Sequence, residues 1–160
     1  MSRNPTPRPA LSILLIAAAA IVGIALLSQI WGGLEPCELC LLERWPYYAA
    51  IGITLIALIQ PSPGLARAAL LLLALLFLAS AGLGFYHAGI EYRWFAGPSS
   101  CTSTQGAAQT FEQLKAQLMN QKTVMCDQVQ WSIFGVSLAG FNCLVSLALA
   151  AFAFGAWRRA

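Results

Sequence analysis

Five cysteines carry the chemistry this sequence can do: Cys37, Cys40, Cys101, Cys126 and Cys143. Cys37-Glu38-Leu39-Cys40 is a C-x-x-C, a spacing found in redox pairs and in metal sites. A zinc site would want a second matched pair or histidines close by. His87 is the single histidine, and 24 residues lie between Cys101 and Cys126, so no metal is expected. In an oxidising compartment four exposed cysteines read as two disulfides, and four cysteines allow three pairings. Structural stapling is the plain alternative, but a membrane bundle hardly needs staples because lipid already enforces its helices. Redox exchange is the reading the spacing favours.

Position sharpens it. Cys40 is expected at the start of a membrane helix, where unpaired N–H groups and the positive end of the dipole stabilise a thiolate. Arg44 follows one turn later, and a cationic neighbour lowers a thiol's pKa further. Cys40 is therefore expected to be a reactive thiolate at the bilayer boundary, with Cys37 facing the aqueous loop. Such a pair could pass electrons between an aqueous partner and a lipid-soluble one. Cys143 lies mid-span beside Asn142 and is expected to act as a small packing residue. Asn142, Ser137 and Ser146 are candidates for hydrogen bonds between helices, and Gly135 with Ala139 is a small-xxx-small spacing.

The elements that must hold these cysteines are membrane helices. Of the 160 residues 59% are hydrophobic and 9% charged, whereas ordinary soluble domains carry about 25% charge. A soluble enzyme is excluded. So is a nucleic-acid binder, since the net charge of +3 is scattered and forms no basic face. About 20 helical residues cross a hydrocarbon core, and four uncharged runs are long enough. The expectation is an all-α, four-helix transmembrane bundle, one domain over 1–160. Its spans are expected at about 10–31, 41–60, 65–86 and 133–157, with non-cytoplasmic loops at about 32–40 and 89–130. The first run exceeds a signal-peptide h-region and is read as a retained span. Pro61 and Pro63 end the second, so its helix is expected to reach back to Leu41. Thr110, Phe111, Leu114 and Leu118 suggest a short amphipathic helix in the long loop. Arg3, Arg8, Arg67, Arg158 and Arg159 share one side and all six acids lie on the other, which puts both termini in the cytoplasm. Trp31, Trp45, Trp94, Trp131 and Trp157 fall at the expected interfaces.

Glu35-Pro36-Cys37-Glu38-Leu39-Cys40-Leu41-Leu42-Glu43-Arg44-Trp45, Tyr86-His87, the loop pair Cys101 and Cys126, and Trp131 through Gly135 together resemble the DsbB family of bacterial inner-membrane disulfide-generating proteins. The resemblance covers nearly the whole chain. It implies a protein-thiol:quinone oxidoreductase with both redox loops in the periplasm. Cys101–Cys126 would oxidise a DsbA-like thioredoxin-fold partner, with Cys101 forming the mixed disulfide. Cys126 would exchange with Cys37, and Cys40 would deliver electrons to ubiquinone, or to a menaquinone, near Arg44. The resemblance also places Glu43 and His87 at the quinone site. A disulfide in a flexible loop would be exposed, and exposed disulfides are the labile, exchanging kind. Two alternatives are a vitamin K epoxide reductase-like enzyme, whose C-x-x-C usually sits late in the chain, and a non-catalytic membrane protein with structural disulfides.

Overall fold

Prolines set where the helices begin. The computed structural model describes residues 7–60, 62–99, 101, 110–112, 115 and 124–160. Among these the elements are α1 (Arg8–Ile30), α2 (Glu38–Leu42), α3 (Trp45–Ile59), α4 (Pro63–Glu91), β1 (Ser132–Ile133), β2 (Val136–Ser137) and α5 (Leu138–Arg159). Pro9, Pro46 and Pro63 lie in the first turns of α1, α3 and α4, where a missing N–H costs no hydrogen bond.

The expected continuous second helix is divided. Pro46 offers no N–H to the Leu42 carbonyl, and its ring crowds that oxygen. The helix therefore stops at Leu42, the chain turns through Glu43 and Arg44, and α3 starts afresh at Trp45. With 15 residues, α3 is about 22 Å long, short of a hydrocarbon core about 30 Å thick. Among the described residues, α1, α4 and α5 are the helices long and apolar enough to cross a membrane.

Two other boundaries move. The third helix runs past the expected end at Tyr86 to Glu91, which keeps His87 inside it. The last helix starts at Leu138 rather than Ile133, because the preceding residues fold into a hairpin. Ser132 pairs with Ser137 and Ile133 with Val136, antiparallel. The connecting Phe134 and Gly135 both take left-handed backbone angles, φ 51° and 78°, as a two-residue type I′ turn requires. Ser137 Oγ then accepts from the Gly140 N–H at 3.2 Å and caps α5. Of the expected loop helix, Thr110 and Phe111 are described and exposed, whereas Leu114 and Leu118 lie outside the described residues.

The four long helices share one apolar core. Leu11, Leu14, Leu70, Leu73 and Phe77 fill it beside Ala18, Ala50, Ala57, Ala150 and Ala153. Alanines at these contacts let helix backbones approach closely, as packing in lipid favours. The outward faces are equally apolar: Ile16, Ile24, Ile59 and Leu72 are exposed. Helices apolar all round belong in lipid, so the chain is a mostly helical, multi-pass membrane protein. Gly135, being in the hairpin turn, does not form the expected helix contact with Ala139. The close approach of α4 and α5 is made by Gly84, where an added Cβ would stand 2.8 Å from the Cys143 nitrogen and 3.0 Å from the Ala139 oxygen.

Candidate active site

The first cysteine pair is built on one turn of helix. Cys37 precedes α2 in extended conformation, and its Sγ accepts from the Cys40 N–H at 3.2 Å. Cys40 lies one turn on, with its Sγ 2.8 Å from Cys37 Sγ. His87, on α4, brings Nε2 to 3.5 Å from Cys37 Sγ. Its Nδ1 lies 2.7 Å from Glu43 Oε1. Glu43 occupies the turn forced by Pro46, and its Oε2 accepts from Asn142 Nδ2 of α5 at 2.8 Å. Cys37, His87 and Glu43 are buried, at 2%, 3% and 9% exposure, while Cys40 is half-buried. A sulfur, an imidazole and a carboxylate in this order form a nucleophile, a base and the group that orients the base.

Cys40 is the expected thiolate, but the contacts at Cys37 differ from those expected. The side-chain contact with Cys40, together with the Cys40 N–H that donates to Cys37 Sγ, holds the Cys37 pKa below the ordinary thiol value, against the opposing effect of burial. The same contact with Cys37, together with burial, pushes the Cys40 thiol far up. The contacts therefore favour Cys37, the residue at the helix start, as the more acidic of the two thiols. Cys37 also does not face water as expected. Arg44 is not aligned with Cys40 along one helix, because α2 ends before it. Its Nη1 donates instead to Gln29 Oε1 on α1 at 3.0 Å.

The second pair lies against the first. Cys101 and Cys126 form a disulfide, with Cα atoms 5.3 Å apart, and the Cys126 N–H donates to the Cys101 carbonyl at 2.6 Å. Both are buried, in a cluster with Cys37, Leu39 and Ile90, and Cys40 packs against it. The expected exposed loop disulfide is thus corrected: apolar side chains from α2 and α4 cover it. Gln130 Nε2 donates to the Glu35 carbonyl at 2.8 Å and ties the end of the long loop to the short one. Four cysteines from distant parts of the chain meet in one place.

The donor atoms of Cys37, Cys40 and His87 lie within 4.8 Å of one another. The distance in sequence from His87 to the C-x-x-C conceals this grouping. A line of polar contacts lies behind Glu43: it includes the expected interhelical hydrogen bonds of Asn142 and Ser146, and also Tyr47 and Ser80, which sequence reasoning missed. Tyr47 Oη donates to Asn142 Oδ1 at 2.6 Å and lies 2.7 Å from Ser146 Oγ, which is 3.1 Å from Ser80 Oγ. The available signal was spacing. Glu43 and Tyr47, and Asn142 and Ser146, are each four apart, and Ser80 and His87 are seven apart. The last two pairs each mark one helical face in otherwise apolar sequence, and Glu43 falls one turn before Tyr47 across the break at Pro46.

A thiol pair backed by an imidazole, a disulfide packed on it and membrane-length helices define a membrane thiol–disulfide protein. The family described as disulfide bond formation protein DsbB matches residues 7–156, and the chain belongs to that family. It is similar to disulfide bond formation protein B of a Polaromonas species, 29% identical over 89% of this chain and 87% of the relative. Disulfide bond formation protein B 2 of Pseudomonas syringae pv. syringae is 27% identical over 84% of this chain and 79% of its own length. An uncharacterized protein of Rickettsia prowazekii is 32% identical over 73% and 68%. No solved structure matches the chain. The protein is accordingly a disulfide bond formation protein.

Proposed function

We propose that this chain is a protein-thiol:quinone oxidoreductase of the bacterial inner membrane, a four-helix transmembrane bundle with both termini cytoplasmic and both cysteine loops periplasmic. It takes electrons from a reduced DsbA-like thioredoxin-fold protein and releases that protein oxidised. The observation that carries this reading is the packing of Cys37, Cys101 and Cys126 in one buried cluster with Cys40 against it. Two dithiol–disulfide couples in contact can exchange without a carrier.

The residues divide the work as follows. Cys101 forms the mixed disulfide with the partner, and Cys126 is its leaving thiolate. The partner's second thiolate then displaces Cys101, and the loop pair is left as a dithiol. Cys126 next attacks Cys37 in a Cys37–Cys40 disulfide and Cys40 leaves as thiolate; Cys101 attacks Cys126 and releases Cys37. The loop disulfide is restored, and two electrons rest on Cys37 and Cys40. His87 Nε2 faces Cys37 Sγ and holds or accepts the proton there, while Glu43 keeps the imidazole oriented.

A membrane quinone, ubiquinone or menaquinone, supplies a two-electron, two-proton sink when bound. The residues beside Cys40 fit such a group. Leu41, Leu42 and Trp45 present exposed apolar surface, and the Arg44 guanidinium with the Gln29 amide offers donors for an oxygen at the edge of a flat ring. A DsbA-like disulfide is a strong oxidant, at about −120 mV, so the acceptor must be more oxidising still. The test is reoxidation of a reduced thioredoxin-fold partner by the purified protein with quinone, in detergent or vesicles. Turnover is expected, and Cys40→Ser should lose it. Unchanged turnover in that variant overturns the reading.

A further inference from the structure

We propose that Asn142 of α5 is a positioning residue for the thiol chemistry: by holding Glu43 it keeps the His87 ring aimed at Cys37. The inference rests on the thiol oxidoreductase reading above and adds to it a residue distant in sequence from Cys37, Cys40, Cys101 and Cys126. Asn142 touches none of the four redox cysteines. It acts through two intermediates, each in direct hydrogen-bond contact with the next.

The geometry runs outward from Asn142. Its Nδ2 donates to Glu43 Oε2 at 2.8 Å, and the other oxygen of that carboxylate lies 2.7 Å from His87 Nδ1. A carboxylate held at both oxygens cannot swing about its own axis. The ring it holds therefore keeps Nε2 at 3.5 Å from Cys37 Sγ. Asn142 is held in turn. Tyr47 Oη donates to its Oδ1 at 2.6 Å, with Ser146 Oγ also in reach of that oxygen. These contacts fix which end of the amide faces Glu43, because a flipped amide would present an oxygen to a carboxylate and lose both bonds.

Helix packing makes the arrangement possible. Only a glycine at position 84 lets α4 come this close to α5, since a Cβ there would stand 2.8 Å from the Cys143 nitrogen, 3.0 Å from the Ala139 oxygen and 3.1 Å from Asn142 Nδ2. Tyr47, Ser80 and Ser146 are fully or nearly fully buried, so no water competes for the contacts behind Asn142. A polar line of this kind could serve only to hold helices together. What sets it apart is that its outer end falls on the one carboxylate that supports the imidazole.

The experiment reads the thiolate and not the assembly. The titratable groups that face the His87–Glu43 pair are Cys37 and Cys40 from α2, Tyr47 from α3, Glu91 from α4 and Cys143 from α5. Ultraviolet thiolate absorbance of the reduced protein, taken as the difference from Cys37→Ser, isolates Cys37 among them. Asn142→Leu, of similar volume, is expected to raise the midpoint by about one pH unit, a tenfold loss of thiolate ionisation. It should also make the Cys37–Cys40 couple more reducing against glutathione, since less of its reduced form is stabilised. Tyr47→Phe, which frees the amide to flip, should move both in the same direction by less. Ser80→Ala, at the far end of the line, should move neither.

An unchanged midpoint and potential in folded Asn142→Leu overturns the proposal. If that variant fails to fold, Tyr47→Phe decides by the same criterion. The titration needs neither quinone nor partner protein. Absent turnover in the wild type would sink the oxidoreductase reading alone, and a wild-type midpoint in the variants would sink this inference alone.

Discussion

The two sulfur pairs are held by different forces. Cys37 and Cys40 sit at the end of a hydrogen-bonded line through His87, Glu43 and Asn142 that joins α2, α4 and α5. Among the described residues, Cys101 and Cys126 are held by apolar cover from Leu39 and Ile90, by one backbone hydrogen bond between themselves and by one from the Cys101 N–H to the Pro98 carbonyl. Hydrogen bonds are directional and fix an orientation. Apolar contact is non-directional and fixes only proximity. The difference would suit the proposed division of labour, in which one pair keeps its angle to a base and the other leaves its place to meet a second protein.

Breaking the directional pair should have the largest effect. Cys37→Ser removes the thiolate and should lower quinone-dependent turnover by roughly a thousandfold or more, while the Cys101–Cys126 disulfide persists in a non-reducing mass analysis. A loss of that disulfide as well would show that the two pairs are not separable. His87→Ala should follow, with turnover down by about a hundredfold as expected for a lost acid–base group, measured in the reoxidation assay across pH. An unaltered pH profile would remove His87 from the proton path.

The apolar pair can be loosened without touching the other. Ile90 is buried, at 2% exposure, against the loop disulfide. Ile90→Ala should speed reduction of Cys101–Cys126 by a soluble dithiol by about tenfold, as judged from the lost packing of a buried side chain. The Cys37 thiolate midpoint should stay put. A shifted midpoint would mean that the loop pair tunes the first pair's ionisation.

The smallest effect is on stability. The folded protein holds the Cys37 pKa below its ordinary value of 9.0, so between those two values the unfolded chain binds more protons. Stability of the reduced protein should then rise with pH through that window, and the gain should vanish as pH falls through the folded value. Apparent melting temperatures of reduced wild type and Cys37→Ser, compared from pH 6 to 8.5, measure it. Parallel curves would argue against a thiolate at Cys37.

The sequence made the membrane helices legible because lipid imposes one rule, length and apolarity, that local composition reports directly. It was less informative wherever a single residue outweighed composition. Pro46 divides a helix that hydropathy reads as continuous. Phe134-Gly135 turns a hairpin inside an apolar run. At the site, the resemblance assembled Cys37, Cys40, Cys101, Cys126, Glu43 and His87, and the structure brings all six into one region. Which thiol is ionised depends on which residue starts α2, a boundary three residues wide that periodicity does not resolve. Asn142 was noticed only as interhelical glue, because its role depends on the approach of α4 and α5 at Gly84.

The covering of Cys37 by the oxidised loop pair has a consequence for traffic. With Cys37 and both loop sulfurs at 4% exposure or less, a stray small thiol meets almost no bare sulfur from these three residues. On the proposed reading, the same two atoms would insulate and conduct, and a partner would gain entry only by parting Cys101 and Cys126 from Leu39 and Ile90.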